Sequence, residues 1–350
     1  MMKRVAVAVA CLAGTAATGM VAIPANAAST THVVRPGQSI QAAVDAARAG
    51  DTVLVMPGTY QGSVQVTRPD VTIRGENADR TVLTPAAQPS SATCADQPGV
   101  GICVTGADRV RVEGLTVSGF AKYGVFASDT DRLTVTHVRA NANTQYGIGV
   151  ERSTRSHVVS NRATGNGQAG VLVANMVSGE GGATDTQGTV VAGNALDNNH
   201  QGLVLRRVRD VAVESNHATG NCAGMMLVGD ENTPHAGNLR VHDNTVTTNN
   251  ATCAATDRLP VIQGAGIVMT GIESSTVRHN TVTGNVGTSP MSGGIVLVPS
   301  MVGTPNRDNT VQANTLRGNG PADLADHDTA GVNNTFSGNS CQVSMPAGRW

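Results

Sequence analysis

From about residue 108 onward the chain repeats one arrangement of apolar and polar positions: V-x-x-N-x-(A/V/L)-x-x-N, a variable stretch, then G-(I/V/L)-x-(V/L/M). Aligned on it, one column holds Val112, Val135, Val158, Val191, Val213, Val241, Val277 and Val311. Three residues on, a second column reads Leu115, Val138, Asn161, Asn194, Asn216, Asn244, Asn280, Asn314 and Asn334. Five further come Phe120, Asn143, Asn166, Asn199, Asn221, Asn249, Asn285, Asn319 and Asn339. An apolar row lies between the two: Val117, Ala140, Ala163, Leu196, Ala218, Val246, Val282, Leu316 and Phe336. Such columns predict a solenoid of short strands whose equivalent residues stack at about 4.8 Å per coil. Each coil buries its apolar face only because neighbours cover it. Asparagine both donates and accepts, so a column of Asn can hydrogen-bond along the stack while tolerating turn conformations.

Gaps between successive second-column residues are 23, 23, 33, 22, 28, 36, 34 and 20. The shortest correspond to one bare coil, and the excess in the others leaves the stack as loops around the G-(I/V/L) strand. A glycine precedes the second Asn at Gly165, Gly220, Gly284, Gly318 and Gly338, where a positive φ is expected. Upstream, S-I-Q-A-A-V-D-A-A (Ser39–Ala47) reads as an N-capped amphipathic helix with Ile40, Ala43, Val44 and Ala47 on one face, a lid for the open end of the stack. The expected organisation is a secretory signal peptide (1–27), an N-terminal cap with the first coils (28–107), repeat coils (108–341) and a C-terminal tail (342–350). The signal peptide rests on Lys3-Arg4, the apolar run from Val5 to about Ile23, and Ala25-Asn26-Ala27. It predicts an extracellular protein with no membrane attachment after cleavage.

Composition agrees with stacked strands. Aromatics are 2% and charged residues 14%, so the core has to be built from Val, Ile, Leu and Ala. Net charge is −1 and no basic patch stands out, which excludes a nucleic-acid partner. Five cysteines follow the signal segment (Cys94, Cys103, Cys222, Cys253 and Cys341), an odd number in a disulfide-permissive compartment.

The segment Ser39–Tyr60 and the Asn-bearing coils resemble the pectin-lyase-like right-handed parallel β-helix superfamily. The resemblance implies an all-β fold, a single-stranded right-handed parallel β-helix with an N-terminal capping helix. It also implies a substrate groove on the outer face of the G-(I/V/L) strands, walled by the flanking loops. Alternation along those strands then points Val125, Ile148, Val171, Leu203, Met225, Ile267 and Ile295 inward. Phe126, Gly149, Leu172, Val204, Met226, Val268 and Val296 point outward. This apolar stripe is either a groove floor or a surface for the loops to cover. Pairing Cys94–Cys103 and Cys222–Cys253 would staple loops to it at two heights, leaving Cys341 over. Tyr123 and Tyr146 are expected to face inward.

A polysaccharide or other extracellular ligand is the implied partner, and a polysaccharide lyase or uronate epimerase the implied activity. The alternatives are a non-catalytic surface or carbohydrate-binding β-helix protein and an exported enzyme acting on a small apolar metabolite. Uronate chemistry needs a base at an acidic C–H and a cation for the carboxylate. The candidate catalytic residues are His200, whose type titrates near neutrality, Arg206, Glu151 and Lys122. Gln145, Gln168, Phe126, Leu172, Val204 and Met226 are the candidate substrate contacts. If a cofactor is used, Ca²⁺ is the one that loop carboxylates would take, from Glu180, Asp185, Asp230 and Glu231. The paired aspartates or Arg/Lys clusters of catalytic relatives are absent from this chain.

Overall fold

The computed structural model describes residues 29–87, 94, 97–176, 179, 181–256 and 259–348; the expected signal peptide (1–27) lies outside them. Among the described residues, thirty-three short strands form three parallel sheets of twelve, eleven and ten strands, wound as a right-handed β-helix, and two more form a small antiparallel hairpin. The valine column is a literal file. Val112, Val135, Val158, Val191, Val213, Val241, Val277 and Val311 are successive ladder partners in the twelve-stranded sheet, each 0% exposed. Val117 to Leu316 form the matching file of the ten-stranded sheet.

Two asparagine ladders run up the corner turns. In the first, the backbone N–H and Nδ2 of Asn161 donate to Asn194 Oδ1 at 2.9 and 3.0 Å, and the pattern repeats rung by rung to Asn314. The second runs from Asn143 to Asn319 in the same way. From Asn161 and Asn166 onward each side chain also donates to a carbonyl of the preceding coil, so these buried amides are satisfied.

The final coil departs from the expected register. Asn314 bonds to Asn339 rather than Asn334, Asn334 continues a different turn file from Asn309, and Val311 pairs with Phe336. The motif N-x-Φ-x-x-N recurs at an offset of five residues (Asn309 to Asn314, Asn314 to Asn319), so the pattern fits two registers and only strand pairing selects one. The second ladder instead ends on Asp323. Its carboxylate accepts from Asn319 N and Nδ2 on one oxygen and from Gln342 N and Val343 N on the other.

At the opposite end the helix Ile40–Ala46 is capped by Ser39, whose hydroxyl accepts from Ala42 N at 3.1 Å. It lays Ile40, Ala43, Val44 and the following Ala47 against the core, closing the stack as expected.

Candidate functional site

The eleven-stranded sheet carries the G-(I/V/L) strands. Val125, Ile148, Val171, Leu203, Met225, Ile267 and Ile295 belong to the central core, while Phe126, Leu172, Met226, Val268 and Val296 lie in two outer clusters. The outer face therefore has the expected side-chain set, but loops cover most of it. At the C-terminal end, the hairpin Thr252–Cys253 with Ile262–Gln263 is tied down by the disulfide Cys222–Cys253 and buries Met226, Val268 and Val296. At the N-terminal end, Cys94–Cys103 and Val100 pack over Phe126. Cys341 carries no disulfide.

Three expected contacts are corrected by this. Phe126 is 2% exposed, Leu172 1% and Met226 3%, so none offers a surface to a ligand; Val204, half-buried between the two clusters, is the remaining part of the stripe. The apolar stripe was too large a surface to leave wet, and the flanking loops fill it.

The tyrosines are a second correction. Tyr123 and Tyr146 face outward, stacked with ring centroids 4.9 Å apart, and Tyr123 packs against Phe126 at 4.8 Å. The cause is the glycine that follows each. A Cβ on Gly124 would lie 2.8 Å from the ladder amide of Asn143, and one on Gly147 2.9 Å from that of Asn166. The ladder amide fills the inward slot, only glycine fits there, and the preceding tyrosine turns out. Tyr123 then leans over the next coil at Gly149, whose missing side chain makes room for the ring.

This places a polar group that the sequence pattern did not reveal. Tyr123 donates to Glu151 Oε1 at 3.3 Å. The Tyr146 hydroxyl is pushed above its ordinary pKa chiefly by burial, with Arg206 pulling it down and Glu151 pushing it up, so it lies within electrostatic reach of both. Glu151 is buried, with Arg152 3.8 Å away. Along the strand entries, Lys122, Gln145 and Gln168 occupy successive coils joined by backbone bonds, Gln145 N to Lys122 O and Gln168 N to Gln145 O. His200 and Gln201 follow on the next coil, with Gln201 N donating to Gln168 O. Gln168 and His200 are exposed, Lys122 and Gln145 half-buried. Glu151 and Arg206 thus lie two coils apart in one file, within electrostatic reach of Tyr146, while His200 stands at the strand entries two coils from Tyr146 and Lys122 lies a further coil away from it.

Of the carboxylates considered for calcium, the three that are described have these surroundings. Asp230 is paired with the buried Arg207 at 2.5 Å, and Asp185 accepts from Gln187 N in a local turn. Glu231 lines a small cleft of about 220 Å³ with His235 and Glu273, and Glu180 lies outside the described residues. Among the described residues, no three His, Cys, Asp or Glu side chains group as a metal site.

Stacked coils, Asn ladders and a loop-walled outer sheet define a right-handed parallel β-helix protein of the pectin-lyase-like kind. Two family models match in succession, "Right handed beta helix region" over residues 73–179 and "Periplasmic copper-binding protein (NosD)" over residues 176–350. The second spans half of the chain, and the protein belongs to the NosD family. Two disulfides and this family fit an exported protein. No curated protein matches by sequence.

Among solved structures, the chain is similar to the A-module of the Azotobacter vinelandii mannuronan C-5 epimerase AlgE4. The TM-score is 0.57 at 16% identity, over 87% of this chain and 92% of that one. It is also similar to the catalytic domain of a GH87 α-1,3-glucanase (0.58, 12%, covering 93% and 67%) and to the Dettilon tailspike protein (0.52, 15%, covering 88% and 67%). At these identities the likeness establishes the fold. For the copper of the family description, no three His, Cys, Asp or Glu side chains stand together among the described residues.

Proposed function

We propose that this is an exported protein acting on an acidic polysaccharide across the outer face of the eleven-stranded sheet, as a lyase or uronate epimerase. The observation that carries the reading is that Glu151 and Arg206 stand two coils apart in one file, both within electrostatic reach of the Tyr146 hydroxyl, beside an edge of hydrogen-bonding side chains, Gln145, Gln168 and His200. A guanidinium is suited to a uronate carboxylate, and its charge would stabilise the carbanion formed when the C5 proton leaves. His200 is the base for that proton, and Tyr146 is the acid that returns one. If the C4–O bond then breaks, C4=C5 forms and the leaving oxygen takes the proton, which is a lyase outcome. If C5 is reprotonated from the opposite face, the outcome is epimerisation. The carbohydrate-active neighbours support a sugar ligand by analogy of fold only.

The test is turnover of a panel of uronate polymers, followed by ultraviolet absorbance for unsaturated ends and by NMR for C5 configuration. Tyr146→Phe, Arg206→Ala and His200→Ala should each abolish activity on whichever polymer is turned over. No turnover on any polymer would remove both chemistries. A non-catalytic surface protein is the second reading, and the burial of Phe126 and Tyr123, which leaves no open aromatic platform for a sugar there, favours it.

A further inference from the structure

The file of Glu151 and Arg206 continues toward the C-terminal end of the stack. Arg206 pairs with Val228 and Val228 with Thr270, and Val298, whose N–H donates to Met269 O, extends the file by one more coil. Val298 therefore stands three coils beyond Arg206, about 14 Å along the axis. It is 6% exposed and lines an apolar cleft of about 750 Å³ that opens beside the stapled hairpin. Leu259, Pro260, Pro290, Met291, Pro299 and Met301 supply most of the remaining wall. Three of these are prolines, whose φ is fixed, so the wall is held in shape before a ligand arrives. The described lining contains no Asp, Glu, Lys or Arg. His327 also lines the cleft, and its ring makes no hydrogen bond or ion pair with a described residue, which leaves it free to donate to a carbonyl oxygen.

Apolar walls of this extent with one polar group suit a small organic group, and a bare polyuronate has none to place there. Its carboxylates and hydroxyls would lose hydration against such walls and recover few hydrogen bonds. An acyl ester carried by the same polymer matches both features, with its carbon chain against the walls and its carbonyl toward the imidazole.

We propose that the substrate is an O-acylated uronate polymer lying along this file, with a uronate carboxylate at Arg206 and the acyl group of a sugar further along the polymer in the cleft. This rests on the uronate reading above and adds what the polymer carries.

The experiment compares each polymer of the uronate panel in two forms, acylated and stripped by mild alkali, by calorimetric binding to the full mature chain with disulfides intact. The acylated form should bind on the order of tenfold more tightly, and lengthening the acyl chain from acetyl to butyryl should gain about threefold to fourfold per methylene. Leu259→Asp and Met301→Asp should each bring the ratio of the two affinities toward one. A neutral probe, the butyryl ester of methyl glucoside, reads the cleft by itself. It should shift the isotope-labelled methyl signals of Met291 and Met301 and leave those of Met225 and Met269, both 0% exposed in the core, in place. Equal affinity for the two polymer forms, or Met291 and Met301 signals that do not move, would overturn the proposal and leave the uronate reading standing. Shifted signals with no uronate polymer bound would remove the uronate reading and the polymer named here with it. An undiminished ratio in both variants, each with native circular dichroism, would also overturn it. Should one variant misfold, the other and the methionine signals decide.

Discussion

Replacing Asn216 by alanine removes one rung from the middle of the first ladder. Its Oδ1 accepts from Asn194 N at 3.0 Å and Asn194 Nδ2 at 2.9 Å. Its Nδ2 donates to Val191 O at 2.9 Å and Asn244 Oδ1 at 3.0 Å. Two of the four abandoned groups keep another partner, since Asn194 Nδ2 still reaches Val158 O and Asn244 Oδ1 still accepts from Asn216 N. The Asn194 N–H and the Val191 carbonyl lose these bonds at a site 1% exposed, where water has little access. At about 1 kcal/mol for each bond lost, plus the cost of stranding buried groups, the variant should be destabilised by about 3–5 kcal/mol. Asn339→Ala removes three bonds at the outermost rung, 6% exposed, where solvent can substitute, and should cost about 1–2 kcal/mol. Urea unfolding followed by circular dichroism, with the m-values compared, measures both. A loss below 1 kcal/mol at Asn216, or equal losses at the two rungs, would refute the view that the ladder is a chain of buried, mutually dependent bonds.

The N-terminal lid should be acid-sensitive. The His32 ring and the Arg48 and Thr30 amides hold the Asp51 carboxyl at about 2, and Arg155 does the same for Asp131. A carboxyl depressed by folding stabilises the fold above its unfolded value of about 3.9 and loses that contribution as pH falls toward 2. Asp51→Asn should therefore flatten the stability–pH curve between about pH 4 and 2, and an unchanged curve would be contrary. Gly149→Ala puts a Cβ 2.5 Å from Tyr123 Cε1, which should displace the ring from Glu151 and cost about 1–3 kcal/mol in thermal melts. A variant as stable as its parent would mean the ring is not held there. Cys222→Ser with Cys253→Ser opens a link between residues 31 apart and should cost about 3–4 kcal/mol while raising dye binding to the uncovered stripe, and no change in dye binding would count against the hairpin as a cover.

The files were readable because each is made of one residue type held by contact with its own kind. Val158 has Val135 below it and Val191 above, and a column of valines is its own signature. The disulfides were readable for a related reason, since Cys103 and Cys222 fall in known rows of the coil. Orientation at Tyr123 was not, because it depends on the space Asn143 takes from Gly124, a through-space constraint between coils. The last register was hidden by a motif that matches itself when shifted by five. Coverage of Leu172 and Met226 was hidden too, because a loop's composition does not tell where it lies down. The grouping of Tyr146 with Glu151 and Arg206 follows from the first of these, and a Tyr-Gly pair repeated in adjacent coils was its one trace in the chain.

The ladder rungs are separated by 22 to 36 residues in sequence, yet the amide contacts keep the same length of about 3 Å throughout. Sequence length and axial rise are thus uncoupled, and a corner can lengthen its excursion while the coils above and below are unaware of it. Evolution can graft new surface onto such a rod one corner at a time, and an engineer can do the same.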